Sequence, residues 1–376
     1  MLDIQGNKLD FCQTTTNFIK SLQVISGSSA YPISRSKSIW AKIKIVCNSV
    51  GDLLVLILLN YGKRYDSIIF IGPNLVNYER FLSYHKTGIA LYVNYHGTKL
   101  MRQVNNEKIY NLGIILNLLG RIFKKKKIDK TVEYYNKWFN ILFRFFPVKY
   151  IYIPCFYDFL GLSLIFDKHR HRYSLIEVQH GGICNFQPFV RPVNFKISDT
   201  IYVNNIRTAK YLKDHLYKNV DVEIIQKEET KMLGDIRKDS RVSLIYFSTI
   251  EINGLHPVFL NYLDRLEEIE PHRLFIRLHP REREKETHFR ESMKKMKIKF
   301  EFDNSKNWIE NHSTEHILVI TPWSSVIEEA VDNGISSIII DEFGRQRYHD
   351  LIDNKVCFYS TNLEEIIPTI IKTMVE

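Results

Sequence analysis

The 376-residue chain is longer than one hydrophobic core usually serves, so two domains are its default organisation. A hydrophobic fraction of 45% excludes a disordered chain, and a net charge of +10 favours an anionic partner over a cationic one. Cys12, Cys47, Cys155, Cys184 and Cys357 show no paired metal-ligand spacing, and the polar stretch from Met1 to Asp10 does not read as a signal peptide, so a reducing, cytoplasmic setting is expected.

In chain order, the most apolar run, Leu53 to Leu59, is well short of the ~20 residues that span a bilayer. Ser67 to Gly72, Ile89 to Tyr95 and Tyr150 to Pro154 are β-branched and aromatic runs of strand length, the pattern of parallel strands buried on both faces. Between them, Val76 to His85 and Thr131 to Phe146 read as helices. Leu175 to Val178 and Ile201 to Asn204 read as further strands, and Thr208 to Leu216 as a helix. Residues 226–241 turn polar and charged, as a linker does.

A second series then opens with strand Val242 to Phe247, helix Pro257 to Ile269, strand Arg273 to Leu278, helix Arg283 to Met296 and strand Lys297 to Phe302. Strand His316 to Ile320, helix Val326 to Asn333, strand Ser336 to Ile340 and a C-terminal helix complete it. Two successive βα series predict an α/β protein with two Rossmann-like, doubly wound domains facing a cleft, over residues 1–228 and 229–376. The last helix is free to pack back on the first domain.

Three strand ends carry chemistry. In Leu175-Ile-Glu-Val-Gln-His-Gly-Gly182 a buried strand delivers Gln179 and His180 to a turn whose glycines admit a ligand close to the backbone. In Arg277-Leu-His-Pro-Arg-Glu282, Pro280 stops the strand and leaves His279 at its carboxyl edge between two guanidiniums, a setting suited to phosphate. In Ile320-Thr-Pro-Trp-Ser-Ser-Val-Ile-Glu-Glu-Ala330 the strand passes into a helix through Thr321, Ser324 and Ser325. Ser324 or Ser325 is the expected N-cap, with Glu328 at capping-box spacing from Ser325, and a hydroxyl-lined helix start also seats phosphate.

Taken in this order, Gln179-His180-Gly181, His279-Pro280 and Ser324-Ser325 resemble the signature sites of bacterial GT-B glycosyltransferases of capsule and lipopolysaccharide assembly, the sialyltransferases, polysialyltransferases and Kdo transferases. The resemblance covers most of the second domain and, in the first, only the region around residues 174–183. It implies a two-domain GT-B enzyme in which the His-Pro and Ser-Ser sites hold the CMP of a donor sugar. In those families an acidic pair stands before the glycine and supplies the catalytic carboxylate; here Gln179 and His180 occupy that place.

Glycosyl transfer needs a general base for the acceptor hydroxyl and positive charge or donors for the departing phosphate. His180 is the expected base, with Glu177 and Asp158 as reserve carboxylates; Arg277, His279, Pro280, Thr321, Ser324 and Ser325 are the expected donor-site residues. No Asp-x-Asp pair is present and no metal is required, so no cofactor is expected beyond a nucleotide-sugar substrate, with a CMP-activated sialic acid-like sugar or Kdo favoured. UDP- or GDP-sugar transfer, CDP-alcohol phosphotransfer of the teichoic-acid type, and glycan or nucleotide binding without turnover are the alternatives. The expected partners are the nucleotide sugar and a glycan or lipid-linked acceptor, with the basic segment 121–127 able to touch the inner membrane. No nucleic-acid module is visible. The loop Asp341 to His349 and the loop Ser248 to Gly254, both after strands, could touch the nucleotide.

Overall fold

The computed structural model describes residues 39–60, 63–71, 88–94, 103–104, 107–113, 128–154, 159–167, 170–179, 196–203, 205–215, 220–225, 242–249, 255–265, 273–279, 282, 286–293, 299–305 and 307–375. The chain forms two compact units, each built on one sheet.

In the first unit, strands β1 (Ser67–Ile71), β2 (Ala90–Asn94), β3 (Gln103–Val104), β4 (Glu107–Asn111), β5 (Tyr150–Ile153), β6 (Ser174–Val178), β7 (Thr200–Val203) and β8 (Asp221–Ile224) lie in the order β3-β4-β2-β1-β5-β6-β7-β8. All pairings are parallel except that of the short β3 with β4. The chain runs outward through β2 and β4, then returns beside β1 to run out the other way, which makes the β1–β5 boundary a topological switch point. Alternation along each strand feeds two faces: Ile68 and Phe70 join one apolar cluster, Ile69 and Ile71 the other. Helices α1 (Ile39–Asn60), α2 (Ile128–Phe145), α3 (Phe159–Ile165) and α4 (Ile206–His215) add apolar side chains to the first of these clusters. Asp52 pins α1 to the end of β4, accepting from the Asn111 backbone N–H at 3.0 Å and from its side-chain amide at 2.9 Å.

The second unit is regular. Strands β9 (Val242–Phe247), β10 (Arg273–Arg277), β11 (Phe300–Phe302), β12 (His316–Thr321), β13 (Ser336–Ile339) and β14 (Phe358–Tyr359) form an all-parallel sheet in the order β11-β10-β9-β12-β13-β14. In chain order this is 3-2-1-4-5-6, the Rossmann arrangement, with its switch point between β9 and β12. Its helices are α5 (Pro257–Leu263), α6 (Glu286–Met293), α7 (Trp308–Asn311), α8 (Val326–Asp332), α9 (Glu342–Arg347), α10 (His349–Asp353) and α11 (Leu363–Val375). Pro257 at the first turn of α5 and the His256 cap before it set that helix's start.

The two doubly wound sheets are the α/β architecture expected from the sequence. The apolar stripe Leu363, Ile367 and Ile370 of α11 is buried in the second unit's own core, with Tyr262 and Leu263 of α5. Helices α1, α3, α7, α9 and α10 and strands β3, β4, β8 and β14 were not expected. The anticipated helix Val76 to His85, the linker 226–241 and the basic segment 121–127 lie outside the described residues.

Candidate functional site

The strands β10, β9 and β12 are neighbours, so their carboxyl ends bring the second and third sequence clusters to one sheet edge. At a strand spacing of ~4.8 Å, the ends of β10 and β12 stand about 10 Å apart, with β9 between them. Ser248 and Thr249, which follow β9, therefore sit at the centre of the arrangement, at the switch point.

Internal hydrogen bonds fix each strand end. The His279 backbone N–H donates to Ser248 Oγ at 2.8 Å, and that hydroxyl donates to Glu282 Oε2 at 2.7 Å. Glu282 is fully buried, and its own N–H donates to the His279 carbonyl at 2.7 Å, closing the turn around His279. Arg277 turns toward β11: its Nη1 lies 2.9 Å from Asp303 Oδ2 and 3.1 Å from Ser305 Oγ. Burial alone would raise the Asp303 carboxyl, but hydrogen bonds from His312 and Ser305 and the charge of Arg277 outweigh it and hold the group well below the usual carboxylate range. Thr321 is fully buried; its hydroxyl donates to the Phe247 carbonyl at 3.0 Å and accepts from the Ser324 N–H at 3.3 Å. Its visible bonds shape the turn and tie β12 to β9.

The Pro322–Ser325 turn is braced from α9 and the residue after it. Tyr348, with no exposed surface, donates its hydroxyl to the Ser324 carbonyl at 3.1 Å, and Arg347 Nη1 donates to the Trp323 carbonyl at 3.2 Å. Gly344 packs so closely that a Cβ there would stand 2.0 Å from the Pro322 carbonyl oxygen. Trp323 meets Phe343 edge-to-face, with ring centroids 5.4 Å apart. The expected capping box is not formed: Ser325 stands before α8 with helical φ −62° and ψ −8° and makes no side-chain capping bond. Ser324 Oγ instead accepts from the Val326 N–H at 3.4 Å, which leaves the Ser325 side chain exposed at the turn.

Two features of this edge add to the sequence clusters. The Thr249 hydroxyl is buried, at 4% exposure, and has no hydrogen-bond partner among the described residues. A polar atom left this way is costly unless something outside the described residues satisfies it. Beyond β13, His256 Nε2 lies 3.2 Å from Asp341 Oδ2, while its Nδ1 accepts from the Val258 N–H at 3.3 Å. An accepting Nδ1 assigns the proton to Nε2, so this pair is a clamp between loops rather than a base waiting for a proton.

In the first unit the strand of the first cluster is β6, one place from the switch point. Glu177 and Gln179 are buried at 1% and 3% exposure, and the Gln179 N–H extends the β6–β7 ladder to the Tyr202 carbonyl at 2.9 Å. Alternation puts Glu177 and Gln179 on the Leu175 face of the strand, and Ile176 and Val178 on the other. His180, Asp158 and Pro280 lie outside the described residues. The bracing set of Gly344, Arg347 and Tyr348 was legible only as a loop after a strand; a glycine inside an otherwise helical stretch was its one local signal.

The fold defines the class: two Rossmann-like units, the second with Ser248, Thr249, His279 and the Thr321–Ser325 turn on adjacent strand ends at its switch point. No known protein family matches the sequence, and no curated protein matches it. Among solved structures the chain is similar to a UDP-GlcNAc 2-epimerase from Neisseria meningitidis bound to UDP-GlcNAc, at 8% identity over 82% of this chain and 93% of that one, with a TM-score of 0.46. It is similar to a UDP-glucose: anthocyanidin 3-O-glucosyltransferase in complex with UDP, at 12% identity over 79% and 86%, with a TM-score of 0.46. It is also similar to a lipopolysaccharide outer core galactosyltransferase, at 9% identity over 79% and 93%, with a TM-score of 0.42. At such scores the likeness assigns no chemistry to this chain. No helix among the described residues is long and apolar enough to cross a membrane.

Proposed function

We propose that this protein is a glycosyltransferase that moves a sugar from a nucleotide donor to a bacterial surface glycan. The carrying observation is the strand order of the second unit, which sets His279, Ser248–Thr249 and the Thr321–Ser325 turn on three adjacent strand ends around the switch point. In this reading the donor's phosphate lies across those ends. His279 and the Ser324 and Ser325 hydroxyls take its oxygens, and the unpartnered Thr249 hydroxyl gains a ligand partner. Arg277 and Thr321 hold the two flanking turns in place.

His180 removes the acceptor hydroxyl proton as the acceptor oxygen bonds to the anomeric carbon. The bond from that carbon to the phosphate oxygen breaks, and its electron pair leaves with the nucleotide. Glu177, buried on the Leu175 face of β6, and Asp158 are the carboxylates that would serve in its place. The favoured donor is a CMP-activated acidic sugar, on the strength of the His279-Pro280 and Ser324-Ser325 resemblance and of a +10 chain that suits an anionic donor and product.

A thermal-shift series with CMP, CDP, UDP and GDP tests the donor. A nucleotide at about 100 times its dissociation constant stabilises by about 2.7 kcal/mol, and CMP is expected to give the largest shift. A shift from UDP or GDP alone would replace the donor. Turnover of CDP-glycerol without turnover of any nucleotide sugar would replace the reaction with phosphotransfer. His180→Ala is expected to lower turnover by about 10²-fold or more; wild-type turnover would remove it as the base. Ser325→Ala is expected to weaken nucleotide binding while leaving the fold intact.

A further inference from the structure

Under the helix layer of the first unit lies an open-sided cavity of about 230 Å³. Its floor is the sheet, through Phe70 of β1 and Val93 of β2, both fully buried. One wall is α1, through Leu53 and Ile57, and the other is α2, through Trp138 and Phe145. The lining is apolar throughout, so nothing in it could hydrogen-bond a sugar, a phosphate or trapped water. An apolar cavity of ~150 Å³ stays dry and takes up benzene, and this one is half again as large.

The mouth is apolar as well: Ile141 and Phe145, which line the cavity from α2, are 47% and 42% exposed. Such a surface around an apolar cavity is unusual for a face that meets only water. Charge lies close by. Arg144 precedes Phe145 at the end of α2, and Lys63, Arg64 and Lys149 follow the two helices toward the amino edge of β1 and β5; all four are exposed.

From the apolar lining, the volume and these cations we infer that the cavity binds the hydrocarbon chain of an anionic single-chain amphiphile of the fatty-acid type, with its head group at the cationic end of the helices. This site is separate from the donor edge of the second unit and does not depend on the reaction proposed there.

The full chain, titrated with monomeric decanoate brominated on its chain, gives a direct test through quenching of Trp138, which lines the cavity. Quenching that saturates in the wild type, and falls by at least half in Trp138→Phe, is the expected result. Ile57→Phe, which fills part of the space, is expected to keep or raise the thermal midpoint and to weaken decanoate binding at least fivefold. Arg144→Glu is expected to weaken decanoate but not decanol. No saturable quenching in the wild type overturns the inference, as does quenching unchanged in Trp138→Phe. So does binding to anionic phospholipid vesicles with none to monomeric decanoate, which would make the apolar face a bilayer contact rather than a chain pocket.

Discussion

The helix layer over the first sheet and the turn after β12 in the second unit are both places where a strand's neighbours must be covered, and they are covered in opposite ways. Over the first sheet, the side chains that α1 and α2 turn toward the cavity are apolar and leave about 230 Å³ unfilled. At the Pro322–Ser325 turn, Thr321, Tyr348 and Arg347 satisfy three backbone groups, and Gly344 closes to a distance no Cβ could share. Apolar packing is non-directional and tolerates gaps at a cost in stability, whereas a hydrogen-bonded turn fixes its atoms one by one. The first region should therefore accept added volume that the second rejects, and the second should fail when single polar atoms are removed.

The largest effect is expected at Asp303, which fixes the β10 end through Arg277. Their side chains are 1% and 14% exposed, so Asp303→Asn leaves a buried guanidinium without its counter-charge, at a cost of about 3 kcal/mol. Chemical denaturation measures it, and a loss below about 1 kcal/mol would show that the pair contributes little to the edge. The pH dependence follows with a definite sign. Because the folded carboxyl titrates below its ordinary value, the ionised form stabilises the fold; that contribution is complete above about pH 4 and fades as pH falls further. Wild-type stability should thus drop more between pH 5 and pH 3 than that of Asp303→Asn.

Gly344→Ala comes next. The added methyl meets the Pro322 backbone oxygen, which cannot swing away as a side chain could, so the turn must shift. Overpacking of this kind costs about 2 kcal/mol, and it should also reduce the nucleotide-induced thermal shift because Ser324 and Ser325 move with the turn. A variant with wild-type stability and nucleotide response would mean that the turn is not held in one position. Tyr348→Phe is milder: it removes the bond to the Ser324 carbonyl, at a cost of about 1 kcal/mol.

The same contrast explains what was legible beforehand. Strands such as Val242–Phe247 announce themselves through continuous β-branched and aromatic runs, and the strands that lead to His279 and Thr321 could be placed in the same way. Strand order could not be: it depends on which parallel neighbours the chain returns to, and only the sheet reveals that β10, β9 and β12 are adjacent. Asp303 as the partner of Arg277 was hidden for the same reason, since 26 residues separate them. Which of the two adjacent serines caps α8 could not be read beforehand, because both fit the role and the local dihedrals decide; the bond goes to Ser324. Helix α1 went unread because its apolar residues are spread around it, as befits a helix with exposed Leu54 and Leu58 beside buried Leu56.

The smallest effect has the opposite sign and separates the two regions most cleanly. Leu142 lines the cavity from α2 and is only partly buried, so Leu142→Phe can send its ring into existing space without displacing backbone. Filling a void restores dispersion contacts that the lining lacks, and changes of this class stabilise by about 0.5–1 kcal/mol. The expected thermal midpoint is therefore slightly above wild type, measured without any added amphiphile, while the nucleotide-induced shift stays unchanged. A midpoint lowered by several degrees would mean that the space is already closed by neighbouring side chains. The added carbons would then have acted in the first unit as the single methyl of Gly344→Ala is expected to act in the second, and the distinction between a gapped layer and a braced turn would be lost.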